Sequence, residues 1–313
     1  MSHAEIAEQP VIGFIGLGSM GSGMTRNLQQ NGYRPVVTDL RRETAASLIE
    51  AGAEWADTAA DLARRSDIVI TMLPTPRIVQ AVLGGENGVF AGLSRGKTWI
   101  DMSTSVPEVA DGVRSEASER GIRVVDAPVS GMSVGAASGR LQIFVGAEAA
   151  DFEDLLPVLS AMGDPERIIN VGGPGAGYAV KLMINQLWFS HLVATAEVLA
   201  IGTEAGVDLD VLRRALIASP ANSNFVEHDV LSILEHGDYD EGFAIALACK
   251  DLGLSIDLAR AVGVPSELSS LVEQVFRRAR RSYGDRAGEM TPFKLYEDLL
   301  GTELRLEQQG AVA

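Results

Sequence analysis

The sequence predicts a doubly wound α/β sheet domain followed by an all-helical C-terminal domain. In residues 1–175, short runs rich in β-branched residues alternate with amphipathic stretches, which is typical of a parallel sheet covered by helices on both faces. In residues 176–313 the strand patterns stop, and nearly every segment has helical periodicity. The domain boundary is therefore expected near Gly175, within the glycine-rich segment 172–177.

The elements of the first domain follow from apolar runs and their boundaries. Runs bounded by Gly, Pro or Asp predict strands at 11–15, 35–38, 67–73, 98–102 and 124–127, and further runs at 141–145 and 167–171 are expected to extend the same sheet. Helical patterns lie between them at 19–31, 42–51, 107–120 and 149–162. After the boundary, a long apolar pattern at 178–205 predicts a buried interdomain helix that connects the two domains.

Composition and charge exclude several classes of protein. Of the 313 residues, 46% are hydrophobic, so the chain can bury more than one core and is not a disordered protein. The net charge of −16 would repel a phosphate backbone, so nucleic acid is not an expected partner. The basic cluster of Arg277, Arg278, Arg280 and Arg281 lies in a helical pattern, and we expect it on a solvated or subunit-facing surface.

Cysteine usage and the N-terminal segment favour the cytoplasm. Cys249 is the only cysteine and cannot form an internal disulfide, and residues 1–10 contain no apolar signal core. The most apolar helical segment, 192–201, is short and contains Glu197, so no membrane span is expected. The histidines lack metal-ligand spacing, so no metal site is predicted, and serine hydrolysis is not predicted either.

The most specific local motif is a glycine-rich turn between the first strand and the first helix. It reads Gly16-Leu17-Gly18-Ser19-Met20-Gly21, which is G-x-G-x-x-G. The first glycine forms the tight turn, the second lets a pyrophosphate approach the backbone, and the third allows close packing of helix on strand. In this setting the motif predicts a Rossmann-type dinucleotide-binding domain rather than a turn without a ligand.

Asp39 ends the second strand and is the expected partner of the adenosine ribose. Its carboxylate would accept hydrogen bonds from the ribose hydroxyls and repel a phosphate placed there, so NAD is favoured over NADP. NADP remains possible, because Arg41 or Arg42 could bind a 2′-phosphate if Asp39 turned aside. We expect both arginines to face solvent in a first helical turn.

Two further segments follow strands at the sheet edge where open α/β sheets bind their ligands. Leu73 and Pro74 follow one strand and Thr104 follows another, and we expect cofactor contacts there rather than simple turns. The segment from Asp126 to Met132 enters a loop of small residues at 133–139. Its backbone N–H groups and a serine hydroxyl could hold a carboxylate, although the residues fit an ordinary loop equally well.

Lys181 lies in the first turns of the long helix on an otherwise apolar surface. Asn185 follows four residues later, so both side chains would point from one face toward the same cleft. Burial and the positive end of the helix would lower the pKa of the lysine toward ~7 to 8, suited to proton transfer. The alternative is a lysine that reaches water or pairs with an internal carboxylate. Lys250, next to Asp251, fits a salt-bridged structural role.

Four blocks of the sequence resemble the β-hydroxyacid dehydrogenase family, which includes 3-hydroxyisobutyrate dehydrogenases and tartronate semialdehyde reductases. They are GFIGLGSMG at 13–21, DAPVSG at 126–131, GAGYAVKLMIN at 175–185 and KDLGLSIDLA at 250–259. The resemblance covers nearly the whole chain. It implies a Rossmann domain, a helical domain that mediates formation of a homodimer or homotetramer, and NAD(P)-dependent hydride exchange between a small hydroxyacid and its aldehyde or keto form.

The resemblance also implies roles for individual residues. Lys181 would be the catalytic residue with Asn185 beside it, Ser130, Gly131 and Asn185 would bind substrate, and Lys250 would lie near the cofactor. Family members commonly carry a second glycine after Gly131, where this chain has Met132. A bulky side chain there is expected to narrow or reshape the substrate pocket.

Two alternatives stay open at this point. Imine reductases look similar overall, but they generally lack the family lysine, which is present here as Lys181. A protein that binds NAD without turnover would have no need for Lys181, Asn185 and Ser130 together. Assays with cyclic imines, with small hydroxyacids and with the cofactor alone separate these possibilities.

Overall fold

The computed structural model describes residues 9–307, which form two compact units. The first unit ends at Lys181 and the second begins at Leu182. Residues 1–8, which carry most of the segment used to predict cellular location, and residues 308–313 lie outside the described residues. Each unit has its own buried apolar core.

A mixed sheet of nine described strands forms the centre of the first unit. The strands are β1 Ile12–Ile15, β2 Val36–Thr38, β3 Glu54–Trp55, β4 Ile68–Thr71, β5 Thr98–Asp101, β6 Arg123–Asp126, β7 Val129–Ser130, β8 Leu141–Gly146 and β9 Gly163–Gly172. Their order is β3-β2-β1-β4-β5-β6-β8-β7, with β9 paired to β8. The pairings from β3 to β6 are parallel, whereas β6 and β7 pair antiparallel with β8. The predicted parallel pairing is therefore confirmed for β1 to β6, and β9 pairs parallel with β8, whereas β8 joins β6 and β7 in antiparallel pairs.

Helices cover both faces of this sheet. They are α1 Gly21–Gln30, a 3₁₀ turn Arg42–Ala45, α2 Ala46–Glu50, α3 Ala59–Arg65, α4 Pro76–Leu83, α5 Val89–Gly92, α6 Pro107–Arg120, α7 Met132–Ser138 and α8 Ala149–Ser160. Proline begins α4 and α6, where no helical N–H bond is lost. Gly121, at φ +67°, ends α6 in the left-handed conformation that glycine adopts at low cost.

Two apolar clusters show that the sheet is buried on both faces. Ile68 and Ile70 belong to one cluster, and Val69 between them belongs to the other. Successive side chains of a strand point to opposite faces, so this division is expected for a strand covered on both sides. Each such buried side chain contributes roughly 1.5–3 kcal/mol through removal from water.

The segment predicted as a loop at 133–139 is helical up to Ser138, so this prediction was wrong. Contacts with α1 explain the helix: the Asn27 side-chain amide donates to the Ala136 carbonyl at 2.6 Å. A Cβ at Gly23 would meet the same carbonyl at 2.9 Å, so glycine allows α1 and α7 to approach closely. Tertiary packing thus overrides the weak helix propensity of a segment rich in Gly and Ser.

The regular secondary structure in the described part of the second unit is helical, apart from an isolated bridge between Ala244 and Gly288. Helix α9, Ala176–Glu204, begins in the first unit and continues into the second. It is followed by α10 Leu209–Ile217, a π-helical turn Phe225–Asp229, α11 Leu231–His236, α12 Ile245–Ala261, α13 Glu267–Tyr283 and α14 Thr291–Leu300. The Phe189 and Phe276 rings meet edge to face in its core, with centroids 4.9 Å apart.

Surface features of this unit agree with the charge pattern of the sequence. Arg277 and Arg280 of the basic cluster pair with Glu273 and Asp285, each at 2.8 Å. These pairs partly neutralise the cluster. Within residues 9–307, no helix combines the length and apolar character that crossing a bilayer requires.

Candidate active site

The glycine-rich turn connects β1 to α1, and its glycines meet different steric demands. Gly16 has φ +98°, and a Cβ there would collide with the Met72 carbonyl. A Cβ at Gly21 would collide with the Gly16 carbonyl, whereas a Cβ at Gly18 would meet nothing within 4 Å. Open space beside Gly18 at the start of α1 provides the cradle that a dinucleotide pyrophosphate requires. The residues present therefore fit an NAD(P) cofactor.

The end of β2 is held against this turn through Asp39. The Leu17 N–H donates to Asp39 Oδ2 at 2.7 Å, and the Arg41 N–H donates to Oδ1 at 3.3 Å. The guanidinium of Arg42 lies over the Trp55 ring, 5.7 Å from its centroid. Both arginines are exposed, as the sequence predicts. Of the remaining turn residues, Leu17 is buried, Ser19 is exposed and Met20 is half-buried.

The segments after β4 and β5 lie next to each other, because these two strands are parallel neighbours. The Leu73 N–H donates to the Ser103 hydroxyl at 2.8 Å and connects the two segments. Leu73 and Thr104 are half-buried and Pro74 is exposed. The structure thus brings these predicted cofactor contacts to one sheet edge.

Lys181 and Ser130 are in direct contact within the first unit. The Lys181 Nζ atom donates to the Ser130 hydroxyl oxygen at 2.8 Å, and the lysine side chain is only 8% exposed. Gly131 and Met132 follow at the start of α7, with φ +124° and +52°. Met132 is the only described residue other than glycine with positive φ, a conformation that costs a side-chain-bearing residue about 1–2 kcal/mol.

Asp126 holds the start of α9, a role that was not predicted. Its two oxygens accept the backbone N–H groups of Gly175, at 2.6 Å, and Tyr178, at 2.9 Å. A Cβ at Gly177 would lie 2.7 Å from the same carboxylate, so glycine allows this approach. Burial raises the pKa of Asp126 to about 6, and the backbone hydrogen bonds oppose the rise. A charged residue at the end of an apolar strand is the signal that could have revealed it.

Asp251 is a second buried carboxylate that was not predicted as a site residue. In the second unit it accepts a hydrogen bond from the Asn185 amide at 2.8 Å and lies 2.9 Å from Lys250 Nζ. The side chain of Asp251 is only 1% exposed, so these partners provide its polar contacts inside the protein. Asn185 lies one turn after Lys181 on α9. Among residues 9–307, no group of His, Cys, Asp and Glu side chains is suited to hold a metal ion.

Two family profiles match the chain in succession. Residues 11–173 match the NAD binding domain of 6-phosphogluconate dehydrogenase. Residues 175–296 match the family described as NAD-binding of NADP-dependent 3-hydroxyisobutyrate dehydrogenase. The 2-(hydroxymethyl)glutarate dehydrogenase of Eubacterium barkeri is 35% identical over 293 residues, which cover 94% of this chain and 97% of that relative.

Solved structures give the same result for the fold. A 3-hydroxyisobutyrate dehydrogenase of Mycobacterium tuberculosis with L-serine matches with a TM-score of 0.84 at 27% identity, covering 92% of this chain and 99% of that chain. An imine reductase of Myxococcus stipitatus with NAD⁺ matches with a TM-score of 0.63 at 22% identity, over 92% and 100% of the chains. At that identity the imine reductase shows a common fold alone. Together the matches confirm the predicted fold class and the NAD(P)-binding domain.

Proposed function

This chain belongs to the β-hydroxyacid dehydrogenase family, and on that premise we propose that it oxidises a small β-hydroxyacid reversibly to its semialdehyde with NAD(P). The observation that carries the proposal is the hydrogen bond between the buried Lys181 amine and the Ser130 hydroxyl. This bond joins Lys181, the residue that the family resemblance implies in catalysis, to Ser130, which the resemblance implies in substrate binding. Imine reduction, which generally proceeds without this lysine, has less support.

The names of similar proteins suggest a substrate class. 2-(Hydroxymethyl)glutarate, 3-hydroxyisobutyrate and L-serine, which these names contain, all have a primary alcohol on the carbon next to the carboxylate-bearing carbon. The proposed substrate is therefore HO–CH₂–CH(R)–CO₂⁻, and the product of its oxidation is OHC–CH(R)–CO₂⁻. Only the R group differs among these compounds.

The bound nicotinamide supplies the hydride acceptor for oxidation and the hydride donor for reduction. In the oxidation, neutral Lys181 accepts the proton of the alcohol as the C–H electron pair leaves with the hydride. In the reduction, the lysine returns that proton to the aldehyde oxygen. Lys181 therefore cycles between amine and ammonium while atoms and charge balance.

Ser130 is proposed to hold the substrate carboxylate. Because Lys181 donates to the serine oxygen, the serine hydrogen is free to point elsewhere and donate to an anion. The backbone at Gly131 and the side chain of Met132 are proposed to complete this part of the pocket. Asn185 and Lys250 keep their implied roles as a substrate contact and a cofactor neighbour, and the homodimer or homotetramer belongs to the same proposal.

A spectrophotometric screen tests the activity. Hydroxyacids of the proposed class are assayed with NAD⁺ and NADP⁺, and their semialdehydes and a panel of cyclic imines are assayed with NADH and NADPH. We expect the nicotinamide to be reduced by at least one HO–CH₂–CH(R)–CO₂⁻ compound and oxidised by the matching semialdehyde, with no oxidation of comparable rate by the imines. Cofactor binding without turnover of any hydroxyacid would favour a non-catalytic dinucleotide-binding protein.

Two substitutions of the lysine test its role. Lys181→Met removes the amine and retains an apolar chain, and Lys181→Arg retains a charge that does not release its proton near neutral pH. We expect both to lower kcat at least ~10²-fold, as for loss of a general acid–base group. The Kd for the cofactor should stay within ~2-fold of that of the wild type, because the lysine acts on the substrate proton. Wild-type turnover in either variant contradicts the assignment.

A further inference from the structure

Asp101 is a fully buried carboxylate at the end of β5 that takes no part in the proposed chemistry. Its Oδ1 atom accepts hydrogen bonds from the Thr71 hydroxyl at 2.7 Å and from the Ser103 hydroxyl and backbone N–H at 2.6 and 3.2 Å. Its Oδ2 atom accepts from the Tyr178 hydroxyl at 2.8 Å. Burial raises the pKa of Asp101 and these hydrogen bonds oppose the rise. Donors on both oxygens indicate surroundings arranged to stabilise a carboxylate.

The two oxygens of Asp101 connect to different parts of the proposed site. On the Oδ1 side, the Ser103 hydroxyl that donates to Asp101 also accepts the Leu73 N–H at 2.8 Å. Ser103 therefore connects Asp101 to a segment proposed to contact the cofactor. On the Oδ2 side, Tyr178 lies in the first turn of α9. It precedes Lys181 by three residues, so the two share a face of the helix.

Tyr178 is buried and is held at both of its polar ends. Its backbone N–H donates to Asp126, and its hydroxyl donates to Asp101. Burial, followed by the charge of Asp101, raises the pKa of Tyr178 well above its ordinary value, so the hydroxyl keeps its proton and stays a donor. Asp101 and Asp126 are register partners on β5 and β6, so one tyrosine spans two neighbouring strand ends.

We propose that Asp101 and Tyr178 are positioning residues that fix the Lys181 amine relative to the cofactor segment at Leu73. The inference rests on the proposed function, because it takes Lys181 as the group that transfers the proton. A continuous line of hydrogen bonds runs from the first turn of α9 through Asp101 and Ser103 to the segment after β4. Removal of one of these hydrogen bonds is expected to shift both the first turn of α9 and the segment after β4.

The decisive variant is Tyr178→Phe, which keeps the ring and the backbone bond to Asp126 and removes only the hydroxyl. We expect kcat to fall at least ~10-fold with the hydroxyacid KM within ~2-fold, because the proton acceptor is misplaced and the substrate still binds. The pH dependence of kcat/KM should also change, because a displaced amine meets different surroundings. Amide hydrogen exchange over residues 176–184 should quicken, a measurement that needs no turnover.

Ser103→Ala tests the opposite branch of the network and remains informative if Tyr178→Phe fails to fold. We expect the Kd for the cofactor to rise at least ~5-fold, since the Leu73 N–H loses its acceptor. The control is Tyr283→Phe, which removes a 2.6 Å hydroxyl–carboxylate bond to Asp298 in the second unit. Its kcat and cofactor affinity should match those of the wild type.

The outcomes separate this inference from the proposed function. If Tyr178→Phe only lowers the melting temperature and keeps the wild-type kcat, pH profile and exchange, the network is structural and the inference is overturned. An unchanged cofactor Kd in Ser103→Ala overturns it as well. If the wild type turns over no hydroxyacid, the proposed function fails. Hydrogen exchange and cofactor affinity then decide whether the network still positions these two segments.

Discussion

The amine of Lys181 donates to the hydroxyl oxygen of Ser130 at 2.8 Å, although the two residues are 51 positions apart in the sequence. The contact joins the residue proposed to transfer the proton to the residue proposed to hold the substrate carboxylate. In a β-hydroxyacid of the proposed class, the reacting alcohol carbon lies two carbons away from the carboxylate carbon. The proposed function therefore needs a proton acceptor close to the carboxylate-binding group, and this hydrogen bond provides that proximity.

Ser130→Ala should weaken substrate binding more than it slows the chemical step. A hydrogen bond to a charged group contributes about 1.5–3 kcal/mol, so we expect the KM for the hydroxyacid to rise ~10- to 100-fold. The matched control is Ser138→Ala in the same segment, because the Ser138 hydroxyl donates only to backbone carbonyls of α7. Steady-state kinetics that show equal KM values for Ser130→Ala and wild type contradict the carboxylate role.

Asp39 is predicted to set the choice between NAD and NADP. Its carboxylate is fixed by the Leu17 N–H at 2.7 Å, so it cannot turn aside without losing that bond. We expect the wild type to use NAD with a kcat/KM at least ~10-fold higher than NADP, because a 2′-phosphate would face this charge. Asp39→Ser should reduce that ratio at least ~10-fold.

A double variant identifies the source of the change in cofactor preference. If Arg41 binds the 2′-phosphate once Asp39 is removed, Asp39→Ser combined with Arg41→Ala should lose most of the gain with NADP. Kinetics with both cofactors at fixed hydroxyacid concentration provide the measurement. An unchanged ratio in the single variant would show that Asp39 does not discriminate between them.

Sequence patterns predicted those parts of the fold and site that are set by residues close to one another in the chain. The strand, glycine turn and helix at Gly16–Gly21 follow one another directly in the chain, and their steric roles can be derived from that order. Lys181 could be selected as a candidate because a lysine in an apolar helical pattern is unusual, and its catalytic role stays a prediction. The alternation of strands and helices likewise predicted the sheet from β1 to β6.

The remaining features depend on contacts between distant segments. Tyr178 and Asp101 are 77 positions apart, and Gly175 and Asp126 are 49 positions apart, so no local pattern pairs them. Helix α7 forms because it packs on α1, and the antiparallel pairing of β8 depends on the path of the chain after β6. These features require the tertiary structure, because local propensity does not encode them.

Asp126 should make part of the stability depend on pH. Burial raises its pKa in the folded protein from an ordinary 3.8 to about 6, so the folded state binds its proton more tightly than the unfolded state. The stabilisation of the folded state by this proton binding is complete below about pH 3.8 and is lost as the pH rises through 6. Between pH 4 and 7 we expect the free energy of unfolding to lose about 2–3 kcal/mol through this group.

Asp126→Asn isolates this contribution, because the amide does not titrate. The variant also loses one acceptor for the backbone N–H groups of Gly175 and Tyr178, but that loss does not vary with pH. The difference in free energy of unfolding between wild type and variant, from urea titrations at several pH values, should therefore fall as the pH rises. Asp111→Asn, at an exposed position on α6, is the control. Parallel curves for wild type and Asp126→Asn contradict the prediction.

Met132 combines a strained backbone with a position two residues after Ser130, and this combination predicts a role in substrate selection. At φ +52° glycine would remove a strain of about 1–2 kcal/mol but would lose about 0.5–1 kcal/mol of chain entropy, so Met132→Gly should be as stable as wild type or slightly more stable. Met132→Ala removes most of the side chain and keeps the strain. Both variants should raise kcat/KM for 2-(hydroxymethyl)glutarate relative to L-serine at least ~10-fold, because space opens for a larger R group.

Thermal unfolding separates the effect of strain from that of bulk, since only the glycine variant relieves strain. Equal substrate ratios in all three proteins would show that Met132 does not shape the pocket.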